Sequence, residues 1–292
     1  MYFSRVRIRP NIFKSSQLGR VLEGNVYGIH RLLWDLFPDE KQRTFLYREE
    51  IAREQLGALP AVRGEPIYYL VSQTKPIETD DSLFNVDSKD YQPQLETGQR
   101  FTFELRANPV VTRAGKKHDV VMDAQQQLLK LLVKELNLET ELPAKQEKSA
   151  YKRLLLEKGG EAFSQRLTEI LKINPLYAER LQQGGQLSDH LEWALKAGVD
   201  RTLEHWFIKQ GERLGFKLVA DDNNLSKLQN SAYQWHSLSA KGGKGDKSGF
   251  SSVDFTGELQ ITNMEKFKEA LFTGIGRSKA FGCGLLLVRR CG

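Results

Sequence analysis

The sequence predicts an α+β fold: two tandem ferredoxin-like (RRM-like) domains, with an enlarged helical insertion in the second. Three observations carry this. Segments that alternate apolar and polar residues recur near both ends of the chain, and segments of helical period stand between them. Leaving the long helical stretch aside, each half approximates strand-helix-strand-strand-helix-strand, with the second helix of the first half faint. That long stretch, about 123–199, interrupts only the second half. At 292 residues the chain is long enough for two domains with a core each. The division expected is 1–85, a linker at 86–98, and 99–292. No internal repeat is visible in the sequence.

The first strand is YFSRVRI, residues 2–8, in which Tyr2, Ser4, Val6 and Ile8 face one way and Phe3, Arg5 and Arg7 the other. One apolar and one basic face suit a sheet covered by helices behind and open in front. A helix is expected from about Asn25 to Leu36, stopped by Pro38, with Val26, Ile29, Leu33 and Leu36 as its buried stripe. RTFLYRE (43–49) and PIYYLVSQ (66–73) read as strands, and 74–98, rich in Thr, Asp, Ser and Pro, as connecting chain. QRFTFELRANP (99–109) opens the second domain as a strand, and a hairpin over 110–121 turns at Ala114-Gly115. Helical spacing then holds from 123 to 215. Separate helices are expected at QQLLKLLVKEL, at SDHLEWALKAG with a Ser188 cap and a Gly198 stop, and at DRTLEHWFIKQGERLGF. Strands return at 216–220, 229–238 and 250–261. A helix follows at NMEKFKEALF (263–272), then a glycine loop and a last strand, GLLLV (284–288).

The net charge of +6 is unevenly placed. Residues 1–20 carry five Lys/Arg and no acid, 236–250 three lysines against Asp246, and 271–292 four Lys/Arg and no acid. The rest of the chain is therefore net acidic, and the clusters have the footprint of a polyanion binder. Two cysteines, Cys283 and Cys291, give neither a disulfide framework nor zinc spacing, which fits a reducing cytoplasm. The N-terminal residues lack the apolar core of a signal peptide, and no apolar run approaches a membrane span.

Two regions hold candidate chemistry. On the first helix Tyr27, His30, Arg31 and Trp34 fall at i, i+3, i+4 and i+7, so phenol, imidazole and guanidinium converge. Tyr27 and His30 are either a catalytic pair or the polar border of the core. The histidines at 118, 190, 205 and 236 are scattered, and no HxH, HExxH or acidic array has metal spacing. No nucleophile elbow or phosphate-binding P-loop motif is present either, so an enzyme built on this chain is expected to need no metal or organic cofactor. The second region is GIGRSKAFGCGLLLVRR, 274–290. A dinucleotide fingerprint needs a strand before its glycines and a helix after them; here the order is reversed. HSLSAKGGKGDKSGF (236–250) reads as a hairpin tip displaying Lys241, Lys244 and Lys247, either a phosphate-gripping loop or a plain surface loop.

YFSRVRI, YGIHRLLWDLFP, LRANPVVTRAGKKHDVV, WFIKQGERLGFKL and GIGRSKAFGCGLL, in this order, resemble the CasE family of CRISPR-associated precursor-RNA endonucleases from type I-E systems. The resemblance implies tandem ferredoxin-like domains that bind the CRISPR repeat stem-loop and cut precursor crRNA at the base of its hairpin. It implies metal-independent attack by a ribose 2′-hydroxyl, leaving 2′,3′-cyclic phosphate and 5′-hydroxyl ends. Carried over position by position, it assigns the functional residues of the first helix to His30 and Tyr27. Arg31 and the lysines at 241, 244 and 247 are then expected on the RNA, as are Gly274, Gly276, Arg277, Ser278 and Lys279. The resemblance further implies that product crRNA stays bound and that the protein joins the other subunits of a Cascade complex. Which group is base and which acid stays open. So does the role of 123–199, a partner-binding bundle or a self-packed insertion, and so does a catalytically silent hairpin-binding subunit.

Overall fold

The computed structural model describes residues 1–9, 26–51, 66–79, 82–113, 115–143, 147–221, 226–237 and 249–291. It divides into two compact units, Met1–Pro109 with Ile208–Gly292, and Val110–Phe207.

The first unit holds two antiparallel sheets. In the N-terminal one, β1 (Tyr2–Ile8) is central, flanked by β3 (Pro66–Ser72) and β4 (Phe84–Asp90), with β2 (Phe45–Ile51) at the edge beyond β3. The order β2-β3-β1-β4 is the ferredoxin-like order. Alternation in β1 works as its sequence requires: Ser4 and Val6 are buried, Arg5 and Arg7 exposed. Helix α1 (Val26–Trp34) covers the apolar face, packing Ile29, Leu32, Leu33 and Leu36 against Val6, Tyr68 and Leu70. The chain expected to be linker begins with a strand: β4 pairs with β1 from Ile8↔Phe84 to Tyr2↔Asp90. Its pattern was concealed by polar residues, because only Phe84 is buried and the rest of the strand is half-exposed or exposed. Glu78 fixes its start, accepting from Val86 N at 2.9 Å and pairing with Arg9 at 2.6 Å. Among the described residues of 73–83 there is no second helix.

The C-terminal sheet repeats this order. It runs β11 (Leu286–Arg290), β5 (Arg100–Ala107), β10 (Gly249–Ile261), β8 (Phe216–Leu218), and β9 (Gln229–Ser237) also pairs with β10. Helix α7 (Met264–Thr273) starts at Asn263, whose side chain accepts from Lys266 N at 3.0 Å, and sets Phe267 between Phe101 and Phe216. The two sheets meet through Leu46, Val71 and Leu285, with Phe3, Tyr91 and Phe272 around them. Arg106 adds a bidentate pair to Asp254, at 2.7 and 2.8 Å, and donates to Glu49 O at 3.3 Å.

The second unit comprises the hairpin β6 (Val110–Arg113) and β7 (Lys116–Asp119), then α2 (Val120–Glu135), α3 (Lys148–Lys158), α4 (Gly160–Lys172), α5 (Pro175–Gln182) and most of α6 (Leu187–Leu214). It has a core of its own, including Leu129, Leu155, Phe163, Leu167, Tyr177 and Leu191. Asp119 and Asn174 cap α2 and α5. The helices expected on either side of Gly198 are one helix of 28 residues. Gly198 is a contact residue and not a stop: a Cβ there would stand 3.3 Å from Leu128. Ser188 lies inside the first turn, and Asp189 supplies the cap-like bond, accepting from Gln186 N at 2.9 Å.

Candidate functional site

Helix α1 turns His30 toward the edge strand β2, where period two places Phe45 and Tyr47 on one face, with Arg43 just before the strand. The imidazole meets Trp34 edge-on at 5.4 Å, Phe45 at 5.8 Å, and lies nearly parallel to Tyr47 at 6.4 Å. His30 is 9% exposed. Its Nδ1 is buried and has no hydrogen-bond partner among the described residues, so Nε2 is the nitrogen left for a substrate. Burial, and secondly the Arg43 charge, hold its pKa below the usual histidine value, so the ring is neutral at pH 7.

The glycine loop straddles the same strand. On one face a Cβ at Gly274 would lie 2.9 Å from Leu46; on the other, a Cβ at Gly282 would lie 3.3 Å from the Tyr47 ring. Tyr47 Oη donates to Ala280 O at 3.3 Å, and burial drives its pKa far upward, so the phenol stays a donor. The neck closes where Ile275 N donates to Gly284 O at 2.9 Å and Gly284 N to Arg106 O at 2.7 Å. Gly274, Gly276, Gly282 and Gly284 all have φ between 77° and 94°, and Ser278 joins them at 55°. This left-handed backbone folds the loop onto both faces of the strand.

Asn108 holds the loop from the second sheet. It forms a bridge with Arg277, accepts from Ser278 Oγ at 3.2 Å, and donates to Ser251 O at 2.7 Å. A stack of His236, Phe250 and Phe281, with centroids 4.7 and 5.1 Å apart, supports the loop's 3₁₀ turn, Lys279–Phe281. Lys279 is half-buried, and burial, then Arg43 and Arg213, lower its pKa. Arg43 therefore disfavours positive charge on both His30 and Lys279.

Several expected residues meet here: His30, Gly274, Ser278 and Lys279, with Gly276 in the loop between them. Arg277 is exposed, and the Ser278 hydroxyl is engaged by Asn108. Arg31 is exposed on α1. Tyr27 lies on α1 one turn before His30, with its side chain outside the described residues, as are Lys241, Lys244 and Lys247. Arg43, Tyr47 and Asn108 were missed as site residues, although the spacing of Phe45 and Tyr47 already places those two on one face. A cleft of about 900 Å³ between the sheets lies elsewhere, lined by charges of both signs, among them Glu50, Glu104 and Glu258 with Lys227 and Arg289. Among the described residues no group of three His, Cys, Asp or Glu is placed to hold a metal ion, and no helix is long and apolar enough to cross a membrane.

Fold and site define a class: tandem ferredoxin-like proteins that set a helix-borne histidine beside a basic glycine loop. The family model described as CRISPR associated protein matches residues 1–290, and the chain belongs to that family. Among solved structures, the CRISPR endoribonuclease Cse3 bound to a 19-nt RNA is 20% identical, with a TM-score of 0.58 over 99% of this chain and 100% of that one. Cse3 from Thermus thermophilus, bound to an RNA representing a pre-cleavage complex, is 19% identical with a TM-score of 0.56, covering 99% and 98%. A CRISPR-associated protein from Thermus thermophilus is 20% identical with a TM-score of 0.55, covering 99% and 100%. These likenesses establish a shared fold. No curated protein matches the sequence.

Proposed function

We propose that the chain is a CasE-type endoribonuclease. It binds the stem-loop of a CRISPR repeat, cuts precursor crRNA through 2′-hydroxyl attack without a metal ion, and stays with the crRNA in a Cascade-type complex. The observation that carries this reading is the union of His30 with the glycine loop through Tyr47, next to the charges of Arg43 and Lys279. RNA in the Cse3 complexes of the same fold, and membership of the CRISPR associated protein family, support it.

A 2′-hydroxyl becomes a competent nucleophile when its proton is withdrawn, and a neutral imidazole accepts one. The lowered pKa of His30 favours the base's role for it, with Nε2 as the accepting atom. Arg43 and Lys279 offset the charge that grows on the phosphorus oxygens as the 2′-oxygen bonds to phosphorus and the 5′-oxygen departs, taking up a proton to become the 5′-hydroxyl. Tyr27 orients the ribose. The backbone of the glycine loop, exposed Arg277 and the lysines at 241, 244 and 247 hold the stem phosphates, the manner in which A-form helices are gripped.

The alternative, a hairpin-binding subunit that does not cut, draws support from the 9% exposure of His30. One assay decides. The protein is incubated in EDTA with repeat RNA from its own locus, as intact protein and as His30→Ala. Loss of about 10²–10⁴ in cleavage rate with binding retained is expected of the variant. Absence of cleavage by the intact protein sinks the nuclease reading in favour of the silent subunit. Cutting of an RNA with a 2′-deoxyribose at the scissile position sinks 2′-hydroxyl attack.

A further inference from the structure

The reaction proposed above needs two proton transfers, and only the first has an owner. His30 takes the proton of the 2′-hydroxyl. The 5′-oxygen leaves as an alkoxide, a strong base, unless a proton reaches it while its bond to phosphorus breaks. The group that supplies this proton has to carry one at neutral pH, stand near the imidazole and be free of other engagements.

The glycine loop brings one such group to the site. Its 3₁₀ turn, Lys279–Phe281, packs against both α1 and β2. Ala280, the middle of the turn, accepts from Tyr47 Oη, and the Tyr47 ring lies nearly parallel to His30. Lys279 opens the turn, and its stem runs along the loop neck, where a Cβ on Gly284 would stand 3.1 Å from Lys279 Cγ. Among the described residues its ammonium has neither a carboxylate nor a hydrogen-bond partner. Burial, and then the cations Arg43 and Arg213, make its proton easier to lose. The other proton carriers of the site are engaged. Tyr47 Oη is held by Ala280 O, and burial makes its phenol far harder to ionise than usual. Ser278 Oγ donates to Asn108 Oδ1 at 3.2 Å, and the thiol of Cys283 has no exposed surface. A guanidinium such as that of Arg43 keeps its protons throughout.

We infer that Lys279 is the general acid of the cleavage: its Nζ gives a proton to the departing 5′-oxygen while His30 Nε2 takes one from the 2′-hydroxyl. This rests on the proposed 2′-hydroxyl mechanism and fills the step that mechanism leaves open. As the 2′-oxygen bonds to phosphorus, the bond from phosphorus to the 5′-oxygen breaks. Its electron pair passes to that oxygen, which takes the proton from Nζ. Cyclic phosphate and 5′-hydroxyl remain, with an imidazolium and a neutral amine in the protein. Proton exchange through solvent restores both side chains.

The test replaces the scissile 5′-oxygen of the repeat RNA by sulfur. A thiolate leaves without protonation, so a missing acid no longer matters to it, whereas a missing base or a missing charge still does. Single-turnover rates at saturating protein, in EDTA, are compared on the oxygen and sulfur RNAs, which keeps affinity out of the ratio. Lys279→Arg keeps the charge and cannot yield the proton. It is expected to lose about 10²–10⁴ on the oxygen RNA and to cut the sulfur RNA at nearly the intact protein's rate. Lys279→Ala loses the charge as well, so it should be slow on both, with the sulfur-to-oxygen ratio raised by the same factor. It decides alone should arginine not fit the turn. In His30→Ala the ratio should stay that of the intact protein. An unchanged ratio in the Lys279 variants, or full cutting of the oxygen RNA by Lys279→Arg, reduces Lys279 to a charge and overturns the proposal. A raised ratio in Tyr27→Phe instead gives the acid's role to the phenol and overturns it too. Intact protein that cuts neither RNA sinks the nuclease reading itself, and the acid with it.

Discussion

At the scale of single residues, the site is governed by what surrounds His30. Three aromatic rings and the Arg43 guanidinium disfavour the imidazolium, and the direction of the shift sets a pH signature. A base acts in its neutral form. Single-turnover cleavage is therefore expected to be flat above about pH 6.5, the ordinary histidine value, and to fall as pH drops through the lower pKa of the folded protein. A rate that climbs as pH falls from 8 to 6 would show His30 acting as the acid. Stability runs the same way. A depressed folded pKa contributes stability that is complete above the unfolded value and is lost as acid charges the buried ring. Helical spacing singled out His30 beside Tyr27 but left it either catalytic or a border of the core, and only the family resemblance gave it a role. Tyr47 was not legible: its hydroxyl meets Ala280, which lies 233 positions away, and a contact that distant leaves no local pattern.

Among the elements, the glycine loop and β4 show what periodicity sees and what it misses. The loop was conspicuous because glycines and cations cluster there without an acid. Its hold on β2 emerges only when both faces of that strand are known. Gly284 has φ 94° and a Cβ there would come within 3.0 Å of Ile275 O, a backbone atom with little room to retreat. Gly98 has φ 92° with nothing within 4 Å. Gly284→Ala is thus expected to cost more than the roughly 1 kcal/mol of backbone strain that Gly98→Ala costs, and to slow cleavage as well. Thermal melts of both variants, each paired with a cleavage assay, measure the difference; equal melting losses would mean the loop neck is loose. Strand β4 escaped notice for the opposite reason. An edge strand with one buried residue has almost no hydrophobic period, and the pairing that defines it belongs to β1. In α6, local propensity said stop at Gly198, and packing against Leu128 overrode it.

Across the whole molecule, the tandem architecture was readable because each sheet follows its own alternating strands, and the order β2-β3-β1-β4 recurs as β8-β10-β5-β11. The helical unit was readable as helical but not as a body with its own core, since that depends on which helices meet. The loop that joins the two sheets conceals one more group. Cys283 stands between two left-handed glycines with no exposed surface, and burial pushes its thiol up to about 12. A thiol so protonated and enclosed is inert to oxidants and alkylating agents, whereas Cys291 is partly exposed. The protein thereby contains its own clock for loop release. Labelling by a maleimide should be fast at Cys291 and limited at Cys283 by the rate at which residues 274–284 lift from the edge strand. Clamping that loop with bound RNA should slow the second reaction alone.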